Sequence, residues 1–479
     1  MRQTARIPQV ASEFAEAELG DRRLSRRLEQ LGAAIAAAPA NSFPRMTQSD
    51  GELEGVYRFL SNDRVTAEKI LAPHYEATCA RAGDGEVLVL HDTTAFAFRG
   101  GTRTGLGHLN RYGGAQSKQG FFGHFAFAVA DDEAREPLGV IGLKTFVRSS
   151  EPLTKAITGK VRFRRENKES ERWVQMVSEV HERFPTAIHV MDREADAYEN
   201  YRQLMLMGAR FIIRARTGWE RIGESDELKG TIPELATQTP IRLKRTVSLS
   251  RRKSNGVTVL NKANPPRERR IAHLAVYATA VTLPRPATYS RRDPVRGPLP
   301  LNVVYVEEKQ PPRKADPVCW MLLTTEPIAT RQQVEKVVDA YRARWTIEEY
   351  FKALKTGCAF EKRQLESFTA LRNALALFSV IAWRLLLMRT IARTHPSASA
   401  STVATARQLR VLRSLAKLDD PRIRHVQLPQ SASAADVLLA VAKLGGHIDQ
   451  NGPPGWQVLG RGYDSLLLIE LGWEARDQM

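Results

Sequence analysis

The chain has 479 residues, 43% of them apolar, which is enough for about three domains with substantial cores and excludes wholesale disorder. Its 71 Lys and Arg against 53 Asp and Glu leave a formal charge of +18, a surplus that points to a polyanionic partner, nucleic acid first and an anionic membrane surface second. Three scattered cysteines, Cys79, Cys319 and Cys358, exclude a paired-cysteine zinc site and fit a reducing cytosol.

Taken in order, the N-terminal twenty residues hold no hydrophobic h-region, so no secretory signal is expected. No stretch is expected to approach the ~18 apolar residues that cross a bilayer. The first seventy residues read as short helices. In "ELGDRRLSRRLEQLGAAIAAAP", Leu24, Leu28 and Leu31 share one side, interleaved with Arg22, Arg23, Arg26 and Arg27. Further basic clusters lie around Arg162, from Arg242 ("RLKRTVSLSRRKS") and before Ile271 ("PPRERR"). One such cluster equally suits a solvated face; four in separate regions point to an extended phosphate-binding surface.

The character changes at "GEVLVLHDTTAFAF", where Val87 to Leu90 suits a buried strand. "HFAFAVAD" and "PLGVIGLKTFVR" follow as strands, then a helix in "ESERWVQMVSEVHERF" and a strand in "AIHVMD". A helix in "DAYENYRQLMLMG" and a strand in "RFIIRAR" complete a mixed α/β sheet. Residues 217–300, rich in Arg, Pro, Thr and Val, read as a β-rich insertion. "LNVVYVEE" and "VCWMLLTT" return to the sheet, and beyond about Thr369 the chain reads as helical. The divisions expected are 1–70, helical; 71–370, the sheet domain with its insertion; and 371–479, helical.

Between Thr330 and Thr356 no Pro or Gly intervenes, and one continuous helix is expected. Within "YRARWTIEEYFKALKTG", Tyr341, Arg344, Glu348, Lys352 and Lys355 follow steps of three and four and line one polar face. Ala343, Ile347, Tyr350, Phe351 and Leu354 fall opposite, toward a core. Glu348 sits nearer the centre of the stripe than Glu349. A solvated face laced with ion pairs would look the same.

Asp92 follows the strand "EVLVL" and His91, and Asp192 ends the strand "AIHVM". Either could merely cap the next turn, and Glu194 and Asp196 rival Asp192. Three acids converging from two strand ends and a helix would repel unless a cation lay between them. All-oxygen ligands favour Mg2+ or Mn2+, and beside a phosphodiester such a cluster suits two-metal in-line displacement.

"HDTTAF", "MDREADAY" and "YRARWTIEEYFKALKTG" resemble the three acidic motifs of the DDE cut-and-paste transposases in the insertion-sequence-four family, nearest its transposon-five branch. Tyr341, Arg344, Glu348 and Lys355 match that family's Tyr-x2-Arg-x3-Glu-x6-Lys signature at every position. The likeness extends over nearly the whole chain and weakens after Asp92 and inside the insertion. It implies an RNase H-like core, an N-terminal DNA-binding segment and a C-terminal dimerisation region around "LGGHIDQNGPPGW". It implies that Asp92, Asp192 and Glu348 hold two Mg2+ ions, for which Mn2+ substitutes. Tyr341, Arg344 and Lys355, with Lys352, Arg193 and Arg214, would grip double-stranded transposon-end DNA, and Trp320 would stack on an extruded base, unless it is a core tryptophan. The expected protein works as a homodimer in the bacterial cytoplasm, on nucleoid DNA and on no membrane. The rival readings are a host-serving nuclease or recombinase derived from such an element, and a catalytically inactive DNA-binding descendant. Leu466–Leu468 and Trp473 suit either a subunit contact or a core.

Overall fold

The computed structural model describes residues 7–100, 103–109, 118–148, 171–216, 231–252, 266–285, 298–313, 315–418, 420, 423 and 425–477. The basic cluster around Arg162 and the first part of the expected insertion lie outside them. The chain divides into two compact units, Met1–Ile157 with Trp345–Met479, and Thr158–Arg344.

The first unit opens with four helices, α1 (Arg22–Ala37), α2 (Phe43–Met46), α3 (Asp50–Leu60) and α4 (Ala67–Ala82). Asp21, Ser49 and Thr66 cap three of them, accepting from the backbone N–H of Arg23, Glu52 and Lys69. On α1, Leu28, Leu31 and Ile35 are buried while Arg22, Arg23 and Arg26 are exposed, as the apolar spacing requires. Strands β1 (Val87–Phe98), β2 (Gly107–His108), β3 (Gln119–Ala130) and β4 (Pro137–Phe146) follow, with β3 pairing antiparallel to the other three.

Asp92 therefore lies inside a strand, opposite Phe125 of β3, and does not follow one as expected. The apolar run Val87–Leu90 marks only the fully buried half of β1. From Asp92 to Ala95 the strand continues half-buried, so hydropathy alone ends it too soon.

The second unit holds α5 (Glu171–His181), β5 (Ile188–Met191), α6 (Tyr198–Leu206), β6 (Arg210–Arg214), α7 (Ile232–Thr237), β7 (Leu243–Leu249), β8 (Arg270–Leu283), β9 (Leu299–Lys309), β10 (Cys319–Thr324) and α8 (Arg331–Ala343). Its strands run β5-β6-β10-β9-β8-β7. β5 and β6 are parallel, with α6 as their crossover, and the other pairs are antiparallel. β7 and β8, which the sequence assigns to an insertion, extend this sheet beyond β9. Trp173, Tyr201, Phe211 and Leu323 lie in one buried cluster on it.

The chain then returns to the first unit with α9 (Trp345–Lys352), a π-turn at Ala353–Gly357, α10 (Phe368–Thr394), α11 (Ala406–Leu415), α12 (Ala434–Leu444) and α13 (Trp456–Asp477). The single helix expected from Thr330 to Thr356 is thus three pieces, although neither Pro nor Gly marks the joints. Against expectation, α10 is long and apolar enough to cross a bilayer, with a window of mean hydropathy 1.7; arginines within it hide this from a search for unbroken apolar runs. That window is 89% buried in the protein, and a helix buried on all sides must be apolar on all sides. The ambiguous tail leucines divide: Leu466 is core, and Leu468 is 65% exposed.

A buried ion cluster ties the N-terminal segment to this unit. Glu13 lies 2.5 Å from His74 Nδ1 and accepts from Arg81 at 2.6 Å. His74 Nε2 accepts from the Val140 backbone at 3.1 Å, so the ring's one proton sits on Nδ1, toward Glu13. Burial holds the His74 pKa below its ordinary value despite the neighbouring carboxylate. The unfolded chain then binds this proton before the folded chain does. The associated stability is complete above about pH 6.5 and is lost as pH falls toward the depressed folded value. Thermal unfolding should show a melting temperature that drops between pH 7 and pH 5.5, and a smaller drop in His74→Gln; an equal drop in both would refute the assignment.

Candidate active site

In the first unit, Asp92 projects from β1, Glu348 from α9 and Lys355 from the π-turn. All three are half-buried. The Thr93 backbone donates to Asp92 Oδ1 at 2.7 Å. Lys355 Nζ donates to the Ala95 carbonyl of β1 at 2.7 Å and lies 5.3 Å from the Phe96 ring centroid. Burial pushes the Lys355 pKa down, while the charges of Glu361, Glu348 and Asp92 oppose that shift. The strand acid, the helix acid and the lysine therefore share one electrostatic environment. Glu361, which the sequence reading passed over, braces it by accepting from the Ala97 backbone at 2.8 Å.

Glu349 is otherwise employed. Its carboxylate takes Lys352 Nζ and Arg389 Nη1, each at 2.6 Å, and Trp456 Nε1 at 3.2 Å. Lys352 is exposed and lies 5.1 Å over the ring of Trp345.

In the second unit, Asp192 directly follows β5 and accepts from the Glu194 backbone at 2.8 Å. Its rivals are bound elsewhere: Glu194 pairs with Arg172 at 2.7 Å, and Asp196 accepts from Tyr201 and from the Arg216 backbone, both at 2.7 Å. Tyr341, placed on a polar face by its spacing, is 6% exposed, so that face is not uniformly solvated. Burial raises the Tyr341 pKa, and nearby Arg214 and Arg344 oppose it; the charge of Asp192 also reaches it. Arg214 hydrogen-bonds both Tyr341 and the Cys319 carbonyl, the latter at 3.1 Å. Trp320, at the start of β10, is half-buried and meets the Tyr341 ring edge-on, with centroids 5.2 Å apart. Asp192, Arg214, Trp320, Tyr341 and Arg344 thus share one neighbourhood. Arg193 is exposed, and its carbonyl accepts from Arg216.

On α1, Arg23 pairs with Asp21, and Arg27 lies against Gly55 of α3, where a Cβ would come within 2.9 Å of its guanidinium. Among the described residues, no three His, Cys, Asp or Glu side chains gather closely enough to hold a metal ion together. Asp92 and Glu348 belong to one unit and Asp192 to the other.

Residues 8–65 match the family described as transposase DNA-binding, and residues 151–385 match the transposase DDE domain. Both spans are thus similar to transposase domains, one DNA-binding and one of DDE type. The first span includes α1 to α3 with their arginines; the second includes Asp192, Trp320, Tyr341 and Glu348 and begins after Asp92. An RNase H-like core follows from the DDE domain, in agreement with the mixed α/β architecture. DDE transposases generally use divalent metal ions, typically Mg2+. The carboxylate oxygens of Asp92, Asp192 and Glu348 are the hard donors such an ion takes.

Lys355→Met keeps the hydrocarbon stem and removes the bond to Ala95. Urea unfolding should register a loss of about 1 kcal/mol, the usual net worth of one such hydrogen bond. An unchanged midpoint would show that the bond to β1 carries no stability.

Proposed function

We propose that this chain is a DDE transposase, an active enzyme of the insertion-sequence-four family, transposon-five type, that cuts transposon ends and joins them to target DNA. The observation that carries the reading is the shared environment of Asp92, Glu348 and Lys355, supplied by a rigid strand and by a helix far away in sequence.

In this reading Asp92, Asp192 and Glu348 would be the ligands of two divalent cations, Mg2+ or in its place Mn2+. When bound, these supply activation of the attacking oxygen and stabilisation of the leaving oxygen. The chain's own residues bind and align the scissile phosphate. Arg344 and Lys355 contribute fixed positive charge, and Tyr341, braced by Arg214, contributes a hydroxyl. Water would break the P–O3′ bond at the transposon end, leaving a 3′-hydroxyl on the transposon and a 5′-phosphate on the flank. That hydroxyl would attack the opposite strand's phosphodiester, expelling the flanking 3′-hydroxyl and closing a hairpin, which water reopens before the freed 3′ end attacks a target phosphodiester and expels its 3′-hydroxyl. Trp320 offers a ring for an extruded base. Lys352 and Arg193, both exposed, add cations for the DNA backbone. Arg22, Arg23 and Arg26 stand exposed at the N-terminal end of α1, where cations are poorly placed against the helix dipole, and a phosphate there would relieve both. A homodimer holding two ends, at work on nucleoid DNA in the cytoplasm, completes the proposal.

The test is incubation of the protein with its own flanking terminal repeat in Mg2+ or EDTA, beside Glu348→Gln, with products resolved on a denaturing gel. Expected are Mg2+-dependent 3′ nicks followed by a hairpin band. Glu348→Gln should yield neither while keeping its DNA affinity, because it removes a ligand and no cation. Binding without cleavage in Mg2+ or Mn2+ would instead identify an inactive or host-adapted descendant.

A further inference from the structure

Helix α9 is eight residues long and runs into a π-turn, in which the Cys358 N–H reaches back to Ala353 at 2.8 Å. So short a helix does not hold its own orientation; tertiary contacts must. Ile347, Tyr350 and Phe351 pack its apolar face on the core, and the polar contacts on its other side converge on Glu349, the residue next to Glu348. One oxygen of its carboxylate accepts from Lys352 of α9, and the other accepts from Arg389 of α10 and from Trp456, the first residue of α13. Arg389 in turn lies 4.7 Å over the Trp456 ring, so its charge is held in place from both sides. One half-buried carboxylate thereby joins three helices at the position adjacent to the proposed metal ligand.

We infer that Glu349 is a positioning residue: clamped by Arg389 and Trp456, it fixes the rotation of α9 and so the direction in which Glu348 presents its carboxylate. The inference rests on the reading of Glu348 as a metal ligand. It also gives the C-terminal helix a part in metal affinity, since the α13 contact is made through Trp456. Adjacent helical residues point about 100° apart, so Glu349 can be held against α10 and α13 while Glu348 faces elsewhere.

The experiment uses the full chain with Glu349→Gln, Trp456→Phe, Arg389→Lys, the Glu349→Gln/Trp456→Phe double variant, and Glu348→Gln as control. Calorimetry reads Mn2+ binding without DNA, and nicking of terminal-repeat DNA is followed against Mg2+ concentration. Outer contacts of metal ligands commonly set affinity by ten- to a hundred-fold, so Glu349→Gln should weaken Mn2+ binding and raise the Mg2+ midpoint about tenfold. Its DNA affinity, melting temperature and rate at saturating Mg2+ should stay near wild type. Trp456→Phe should shift the midpoint in the same direction, the double variant should fall short of the sum, and Arg389→Lys should retain most of the wild-type midpoint. A wild-type Mg2+ midpoint in Glu349→Gln, or a loss that follows melting temperature alone, would overturn the inference while leaving the function intact. Cleavage surviving in Glu348→Gln would overturn both.

Discussion

Carboxylates set close together in a partly desolvated place repel one another, and that cost has to be offset by positive charge. Asp92 on a sheet strand and Glu348 on a short helix meet this constraint through Lys355, whose ammonium is drawn back onto the Ala95 carbonyl of the same strand. The lysine stays within reach of both acids because β1 holds it, and β1 is rigid because β3 pairs with it along its full length. Glu361 adds a second bond from the same loop region to β1. The first unit can be understood as scaffolding for this arrangement: an antiparallel sheet beneath, the apolar helix α10 within, and Glu349 holding the helix that carries Glu348.

The second unit solves a different problem. Its acid, Asp192, stands beside a tyrosine, two arginines and a half-exposed tryptophan, the side-chain types that suit phosphate and base. The Tyr341 hydroxyl is protonated at neutral pH like any phenol, so it can donate to a phosphate oxygen, while Arg214 hydrogen-bonds it. The rival acids in the same loop are occupied by Arg172, Tyr201 and Arg216, which keep the loop in shape.

Much of this was legible in the sequence, for reasons that can be named. Strands such as "AIHVM" and helices such as "ESERWVQMVSEVHERF" announce themselves because their burial is uniform along their length or along one face. The apolar set Ala343, Ile347, Tyr350, Phe351 and Leu354 is buried as its spacing requires. What was not legible depends on tertiary neighbours. Spacing favours Glu348 over Glu349, but the partners that occupy Glu349, Arg389 and Trp456, are distant in sequence. The burial of Tyr341 turns on Trp320 and Arg214 in other strands. The joint between α8 and α9 carries no helix breaker, and β1 outruns its apolar run because pairing with β3 continues where burial weakens.

The central claim is that Asp92, Asp192 and Glu348 act as metal ligands, beyond being acids near DNA. The most direct measurement replaces each in turn with cysteine and compares terminal-repeat cleavage in Mg2+ and in Mn2+, because a thiolate is a poor ligand for the hard Mg2+ and a better one for Mn2+. Each cysteine variant should be inactive in Mg2+ and regain cleavage in Mn2+, with DNA affinity unchanged throughout. Wild-type cleavage in Mg2+ by any of the three would contradict that residue's assignment, and failure of all three in both metals despite normal folding and DNA binding would contradict the account as a whole.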